Sequence, residues 1–123
     1  MTLSEFKALI ENPNTKIVPK VWGAEYHLEN LDYCCKLLAL NKGYCCSLHY
    51  HKLKTETFFI LSGHVQLEVA ESSYLMIPGD RQRIYPGVEH RFTGLTDALI
   101  LEVSTHDEPS DSYRLEESKK VES

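Results

Sequence analysis

Two histidines and a glutamate lie close together in the sequence and could bind a divalent metal ion. His49 and His51 are two residues apart, and Glu56 follows a short distance on. Residues two apart in an extended strand point to the same face, so both imidazoles would lie side by side. Imidazole and carboxylate groups are common ligands of zinc and of first-row transition metals. His90, further along the chain, would complete a shell of three histidines and one glutamate.

A shell of this kind leaves two positions of an octahedron open for water or substrate. Divalent Zn, Mn, Fe, Co and Ni all accept imidazole and carboxylate ligands, so the sequence does not choose among them. We therefore expect a divalent metal cofactor of undetermined identity, held by His49, His51, Glu56 and His90.

The elements that would position these residues are predicted to be short antiparallel strands. Turn signals rich in Gly, Pro, Asn and Asp recur about every ten residues, a spacing typical of a β-sandwich or jelly roll. A short N-terminal helix is predicted over Ser4–Ile10, with Ser4 as its N-cap, so the fold class is all-β with one helix. The predicted strands span residues 17–21, 24–28, 33–40, 44–51, 57–62, 64–69, 73–76, 81–85, 90–93 and 98–103.

The strand predicted over residues 44–51 has two different faces. Small and ligand-type side chains share the face that would line a lumen: Cys45, Ser47, His49 and His51. The opposite face, which would be covered by another sheet or by a second subunit, holds Cys46, Leu48 and Tyr50. Sandwiches with an apolar outer face often pair about a two-fold axis, so we expect a homodimer.

Length and composition narrow the function classes further. The 123 residues predict a single domain with a core over residues 17–104 and a charged arm over 105–123 that frays at its end. A net charge of −5 gives no basic surface for nucleic acid. No apolar run reaches membrane-spanning length, and the first residues lack an apolar h-region, so we expect neither a membrane span nor a secretory signal. Its four cysteines form two adjacent pairs without a Cys-x-x-Cys motif, so we expect a cytoplasmic protein with free thiols, with a cross-strand disulfide as the alternative.

The glycines around the candidate ligands complete a longer pattern that resembles the two consensus motifs of the cupin superfamily. The first motif matches at every fixed position: Gly43, His49, His51, Glu56 and Gly63. The second motif matches at Gly79, Gly87 and His90, and it departs at Tyr85, where proline is usual, and at Gly94, where asparagine is usual. The resemblance covers residues 21–104 and implies a double-stranded β-helix, the cupin barrel, with a metal ion in its lumen.

A narrower resemblance links the chain to the C-terminal cupin domain of type II mannose-6-phosphate isomerases. Short matching segments follow in the same order, at residues 21–26, 36–38, 47–51, 56–58, 89–92 and 102–105. His49 stands where that family commonly has glutamine, and Lys54 where it commonly has arginine, so the chain is similar to the wider group of sugar-isomerase-like cupins. This resemblance implies an aldose–ketose isomerase that acts on a sugar or a sugar phosphate.

An isomerase needs a base that moves a proton between two carbon atoms, and three side chains are candidates. Lys54 lies beside the ligand turn, Glu68 on a following strand and Glu102 on the last strand, and alternation alone does not rank them. A second set could contact hydroxyl or anionic groups of the substrate: Arg81, Arg83, Arg91 and Tyr50. For members of this second set, a surface ion pair or a place in the core is the alternative.

Two other functions fit the same ligands. Cupins with three histidines and one glutamate also bind iron and activate oxygen, which makes a metal-dependent dioxygenase one alternative. A fold does not fix a function, so a non-catalytic sugar-binding module is another. The remaining histidines fit neither motif and are interpreted as ordinary surface residues: His27, His64 and His106.

Overall fold

The computed structural model describes residues 2–121, and short strands dominate this part of the chain. One α-helix, α1 (Leu3–Ile10), precedes the strands, and a 3₁₀ turn lies at Pro109–Asp111. The strands are β1 (Lys16–Lys20), β2 (Gly23–Asn30), β3 (Tyr33–Leu40), β4 (Tyr44–Cys45), β5 (Leu48–Tyr50), β6 (Glu56–Ser62), β7 (Val65–Val69), β8 (Ser72–Met76), β9 (Arg81–Ile84), β10 (His90–Gly94), β11 (Ala98–Thr105), β12 (Tyr113–Glu116) and β13 (Lys119–Lys120).

The strands form two antiparallel sheets that face each other. The first sheet has the order β1-β2-β3-β11-β6-β9. In the second sheet, β4 and β5 are two parts of one interrupted strand, with β12 and β13 on one side and β10 on the other. Beyond β10 follow β7 and then β8. This arrangement confirms the prediction of an all-β jelly roll with one short helix.

The main hydrophobic core lies between the two sheets. Inward-facing side chains of β3, β6, β7, β10 and β11 form it, including Leu38, Ile60, Leu67, Phe92 and Ile100. A smaller apolar cluster lies on the outer face of the first sheet, where Leu37 and Leu99 pack beneath α1. Strand β3 is therefore buried on both faces, which explains its nearly continuous apolar sequence.

The turn between β6 and β7 requires glycine. Gly63 has φ = 79°, in the left-handed region that favours glycine. A side chain at this position would also collide with the carbonyl oxygen of Asp97 and the Cα atom of Ala98. The last glycine of the first motif is thus explained by backbone conformation and close packing together.

The N-terminal helix begins earlier than predicted. Thr2 is its N-cap, because the residue is extended (φ −79°, ψ 162°) and its hydroxyl accepts a hydrogen bond from the amide of Glu5 at 3.1 Å. Ser4, the predicted cap, lies inside the first turn of the helix. Threonine and serine are both good caps, so the sequence alone did not separate the two positions.

The strand predicted over residues 44–51 is interrupted at Cys46 and Ser47, and the predicted assignment of its faces is wrong there. Cys46 points into the core between the sheets and also lines the interior cavity. Cys45, which was expected on the inner face, is buried elsewhere, beside β10 and β13. The interruption shifts the alternation by one residue and then restores it for His49 and His51.

The C-terminal segment, predicted as a charged arm, docks on the barrel, and the fraying predicted at its very end falls on residues beyond 121, outside the described part of the chain. Strand β12 pairs with β5, and β13 pairs with β4. The amide of Val121 donates to the carbonyl of Gly43 at 2.7 Å, so the segment follows the barrel as far as the structure describes it. Its charged sequence concealed this docking because the contacts are made mainly through backbone pairing.

Within residues 2–121, no helix is long and apolar enough to cross a membrane. The four cysteines are free thiols, in agreement with the prediction.

Candidate metal centre

The four candidate ligands meet at one end of the barrel. His49 lies on β5 and His51 directly after it, while Glu56 begins β6 and His90 begins β10. His49 and His90 are direct cross-strand partners, which brings the two motifs together. One ligand atom from each of the four residues lies within 4.8 Å of all the others. The arrangement could hold a metal ion.

Hydrogen bonds fix the orientation of all three imidazole rings. Nδ1 of His49 lies 2.8 Å from the carbonyl of Ser47. Nδ1 of His51 lies 2.7 Å from the carbonyl of Asp111. Nδ1 of His90 lies 3.0 Å from the carbonyl of Val88. A carbonyl only accepts, so each Nδ1 carries the proton and each Nε2 offers a lone pair in the neutral ring, as metal ligands require.

The contacts of Glu56 fit a cation among these residues. Its Oε1 lies 3.0 Å from Nε2 of His90, and its Oε2 lies 3.4 Å from Nε2 of His51. If the rings are neutral, each contact places two hydrogen-bond acceptors opposite each other, a carboxylate oxygen and an Nε2 lone pair. Oε2 is also buried without a hydrogen-bond donor, since the ammonium of Lys54 lies 3.1 Å away but outside hydrogen-bonding geometry. A metal ion would satisfy both facing lone pairs.

The protonation states of the cluster also suit a metal. Burial alone would raise the pKa of Glu56, but the close contact with His90 and the charge of Lys54 outweigh it and lower the pKa to about 2. Burial, together with the neighbouring His90, lowers the pKa of His49 to about 4. Burial likewise lowers the pKa of His51. Near neutral pH, the site therefore presents a carboxylate and neutral imidazoles at His49 and His51, the states in which these groups ligate metals.

Lys54 connects the cluster to two further carboxyl groups. Its ammonium lies 3.1 Å from Glu56, 3.3 Å from Glu102 and 3.0 Å from Asp107. Burial would lower the pKa of Lys54, but these carboxylates outweigh burial and raise it. Lys54 therefore remains protonated and carries a positive charge beside Glu56 and Glu102.

Glu102 has the opposite electrostatic character. Its carboxyl group is buried, and burial together with the negative charge of Glu56 raises its pKa to about 7. A carboxyl group with this pKa exchanges a proton readily at neutral pH. Among the three predicted base candidates, the structure therefore favours Glu102.

A cavity of about 350 Å³ opens beside the cluster. Apolar side chains form its deep wall, including Trp22, Leu38, Phe58 and Phe92. Charged side chains line the middle and the rim: Lys16, Lys20, Glu25, Lys36, Lys54, Glu102, Asp107, Glu108 and Arg114. The strands β1 and β12 are the edge strands of the two sheets and both line the cavity, so they border its opening. The size is in the lower range for small-molecule sites.

The other predicted site residues lie away from this cavity. Glu68 is exposed on β7, opposite Arg91 on the neighbouring strand. Arg91 points away from the metal cluster, as its position next to His90 predicted, and it binds the carbonyl of Cys46 at 2.8 Å. Neither of these predicted site residues contributes to the cavity wall.

The remaining predicted substrate contacts are also placed outside the cavity. Arg81 and Arg83 are exposed on β9. The guanidinium of Arg81 lies over the ring of Phe59, and that of Arg83 over the ring of Tyr85. Tyr50 stacks on Tyr113 of the C-terminal segment, with ring centroids 5.2 Å apart. Each of these side chains lies on the outer face of its strand, while the residues next to it in the sequence face inward.

Several cavity residues were missed by the sequence analysis. His27, interpreted as a surface residue, lines the cavity and lies 2.7 Å from Glu25. The alternation of Glu25 and His27 around buried Tyr26 was a usable signal, because it sets a polar face against an apolar one. Asp107 and Arg114 carried no such signal, since they follow the last long strand in a segment of mixed charge.

Comparison with known proteins identifies the family. The family model described as the cupin domain matches residues 37–104, more than half of the chain. This chain belongs to the cupin family. The match includes all four residues of the His/Glu cluster and ends before the C-terminal segment that lines part of the cavity. No curated protein sequence matches the chain.

Solved structures share the cupin fold with this chain at low sequence identity. KdgF from Halomonas sp. is 15% identical, with a TM-score of 0.67 over 71% of this chain and 81% of its own. Oxalate decarboxylase from Bacillus subtilis is 17% identical, with a TM-score of 0.72 over 83% of this chain and 30% of its own. The capsular polysaccharide assembling protein CapF from Staphylococcus aureus is 16% identical, with a TM-score of 0.73 over 89% and 34%.

The chain thus spans about a third of the length of oxalate decarboxylase and CapF. At these identities the similarity shows a shared fold.

Proposed function

We propose that this cupin is a metal-dependent isomerase that moves a proton between adjacent carbon atoms of a small sugar or sugar phosphate. One observation carries the proposal: a buried carboxyl group, Glu102, with a pKa raised to about 7, lies in the same cavity as the His/Glu cluster. Lys54 contacts both Glu102 and Glu56 and so links the proton-exchanging group to the candidate ligands.

His49, His51, Glu56 and His90 would hold a divalent ion through three imidazole nitrogens and a carboxylate. Such an ion supplies a Lewis acid that polarises a carbonyl oxygen of the substrate. Oxalate decarboxylase of Bacillus subtilis, which has a similar fold, contains Mn(II) centres. This similarity supports a divalent ion in this cupin and does not choose among Zn, Mn, Fe, Co and Ni.

Glu102 would act as the base and then as the acid. As a carboxylate it takes the proton from C2 of an aldose, and as a carboxylic acid it gives a proton, the same one or one exchanged with solvent, to C1, so its own charge is restored. In the enediolate between these steps, the proton of the C2 hydroxyl passes to the oxygen on C1, which leaves the carbonyl at C2. A pKa near the working pH makes both states accessible, which favours general acid–base catalysis. The ammonium of Lys54, 3.3 Å from Glu102, would stabilise negative charge that develops on a substrate oxygen.

The opening of the cavity supports a substrate with an anionic group. Arg114 on β12 is the cross-strand partner of His49, so its side chain shares the cavity face with that ligand. Its ion-pair partner Glu117 is exposed, and such a pair is easily exchanged for a substrate anion. Lys16 lines the cavity from β1 and has no ion-pair partner among residues 2–121. These groups could bind a phosphate.

The test is isomerisation of a panel of pentoses, hexoses and their phosphates by metal-loaded protein, followed by NMR in deuterated water. We expect turnover of at least one sugar and exchange of its C2 proton with solvent. Glu102→Gln should lower kcat by about 10²- to 10⁴-fold, the usual contribution of general acid–base catalysis, without changing the metal content. Glu68→Gln is the matched control, because Glu68 is exposed outside the cavity.

A full panel with neither turnover nor C2 exchange would contradict the proposal, as would unchanged kcat in the Glu102 variant. Oxygen uptake by the ferrous protein would indicate a dioxygenase instead. Tight sugar binding without exchange would indicate a binding module. The homodimer stays a prediction, and light scattering tests it.

A further inference from the structure

The C-terminal segment, residues 106–121, contacts the candidate metal centre although it lies beyond the cupin-domain match at residues 37–104. Its backbone pairs with β5 and β4 through β12 and β13. Arg91 anchors it further, because the guanidinium donates to a side-chain oxygen of Glu116 and to the carbonyl of Glu117, both at 3.0 Å. The segment is therefore held firmly against the strand that carries His49.

Asp111 is the residue of this segment that reaches the ligand turn. Its side chain is only 5% exposed. The carboxylate accepts hydrogen bonds from three consecutive backbone amides: Lys52 at 2.8 Å, Leu53 at 3.1 and 3.2 Å, and Lys54 at 3.1 Å. Consecutive amides that surround one anion form a rigid concave site, so the carboxylate fixes the path of the turn between His51 and Glu56.

The backbone of Asp111 contacts the same turn at its other end. Its carbonyl oxygen lies 2.7 Å from Nδ1 of His51, and this is the contact that leaves Nε2 of His51 free to face Glu56. One residue therefore fixes both the ring of His51 and the main chain of Lys54. Both side chains point into the cluster, one as a candidate ligand and the other as its neighbouring cation.

We propose that Asp111 is a positioning residue of the metal centre, which sets the tautomer and orientation of His51 and the placement of Lys54. The proposal rests on the metal-binding part of the proposed function and is independent of the isomerase reaction. Without the carboxylate, three amides lose their acceptor and the turn loosens from the C-terminal segment. The carbonyl of Asp111 then moves away from His51, and the ring is free to adopt its other tautomer.

The test compares Asp111→Ala and Asp111→Asn with the parent protein, in the full chain. The matched control is Asp80→Asn, since Asp80 also caps a turn, through the amide of Ile77 at 2.9 Å, and does not line the cavity. Imidazole ¹⁵N NMR of the metal-free proteins reports the tautomer of His51. Calorimetric titration with Zn²⁺ reports metal affinity, and circular dichroism reports folding.

We expect the Nδ1–H tautomer at His51 in the parent and a mixture of tautomers in Asp111→Ala. Metal affinity should fall about 10- to 100-fold, as for other residues that orient metal ligands, while Asp80→Asn keeps the parent values. Asp111→Asn should lie between the two, because its amide oxygen can replace only one carboxylate oxygen. If Asp111→Ala does not fold, the asparagine variant carries the comparison.

An Nε2–H tautomer at His51 in the parent would overturn the proposal, even if no metal binds. Unchanged tautomer and unchanged affinity in both folded variants would also overturn it. Weakened affinity in a protein without isomerase activity would leave this inference standing and remove only the isomerase.

Discussion

Three strands contribute both to the end of the barrel that carries the candidate ligands His49, His51, Glu56 and His90, called here the metal-binding end, and to its apolar end. On β6, Glu56 faces the candidate metal site, and Ile60 on the same face lies in the dry core. On β11, Glu102 lines the open cavity, and Ile100, two residues away, is in the core. At the apolar end, hydrocarbon side chains fill the space and leave no room for a water molecule. On β10, His90 belongs to the His/Glu cluster, and Phe92 packs in the core, where it also forms part of the deep wall of the cavity.

The charged, open end and the apolar, closed end of the barrel interior lie only a short distance apart. Two residues along a strand correspond to about 7 Å, and on β11 the barrel interior changes from charged and open to closed and apolar within that step. On β6 the change extends from Glu56 to Ile60, because Phe58 between them lines both regions. The strand period places every one of these side chains inside. Position along the barrel axis then decides whether a side chain meets a ligand cluster or the hydrophobic core.

The strongest way to break the metal-binding end is His51→Ala. Loss of one of the four ligands should abolish stable metal binding and any metal-dependent turnover, because the three remaining ligands form an incomplete coordination shell. Elemental analysis after dialysis measures the metal content, and circular dichroism checks the fold. His64→Ala, at an exposed histidine outside the cavity, is the control and should keep its metal. An unchanged metal content in His51→Ala would contradict the site.

The apolar end should respond in the opposite way. Ile100→Ala creates a cavity in the filled end and should lower the free energy of unfolding by about 2–5 kcal/mol, with the metal content unchanged. Val103→Ala, on the outer face of the same strand, is the control and should cost much less, since its side chain is 48% exposed. Urea denaturation measures both. Loss of metal together with stability would show that the two ends are not separable.

The ionisation of Glu102, at the metal-binding end, should make the free energy of unfolding depend on pH. Its pKa is raised from 4.5 to about 7, so the unfolded chain releases this proton at lower pH than the folded protein. The contribution of Glu102 to stability is therefore fully present below pH 4.5 and is lost as the pH rises through 7. Each unit of the shift corresponds to about 1.4 kcal/mol.

Urea unfolding of the metal-free protein at several pH values measures this contribution as the difference from Glu102→Gln. The difference should fall between pH 4.5 and 7, whereas the cost of Ile100→Ala should stay constant over the same range. Parallel pH profiles for the parent and Glu102→Gln would show that Glu102 ionises normally.

The smallest expected effect concerns the rim of the open end. Arg114→Gln should raise KM for a sugar phosphate about ten-fold and leave KM for the neutral sugar unchanged, because one charge-assisted contact to the anion is lost. Arg81→Gln, an equal change of charge on an exposed residue outside the cavity, is the control. Steady-state kinetics with both substrates measures the effect. Equal responses to the two substitutions would point to general electrostatics rather than to direct contact.

The sequence predicted the fold and the composition of the ligand cluster because both depend on short-range patterns. Strand alternation and turn glycines indicated the jelly roll, and the spacing of the two motifs indicated which side chains would meet. The same patterns could not rank Lys54, Glu68 and Glu102 as bases. Their roles depend on burial and on neighbouring charges from other strands, which alternation does not report.

The errors have physical causes as well. The interruption at Cys46 and Ser47 shifts the alternation by one residue, so Cys45 and Cys46 were predicted on the wrong faces. Beyond it, His49 and His51 face inward as predicted. Arg81 and Arg83 were considered for an anion site because they share a face, but that face points away from the cavity. Strand alternation predicts which side chains share a face of a strand, but it does not predict which of the two faces points into the barrel.

The sequence by itself therefore determined the ligand types, their spacing and the class of barrel that surrounds them. Only the tertiary structure decided that Glu102 shares a cavity with those ligands and that Asp111 holds the turn next to them. Asp111 lies 60 residues beyond His51 in the chain, and its contacts form through folding of the C-terminal segment back onto β5. No local pattern records such a contact, because it is formed by backbone pairing and a single buried carboxylate.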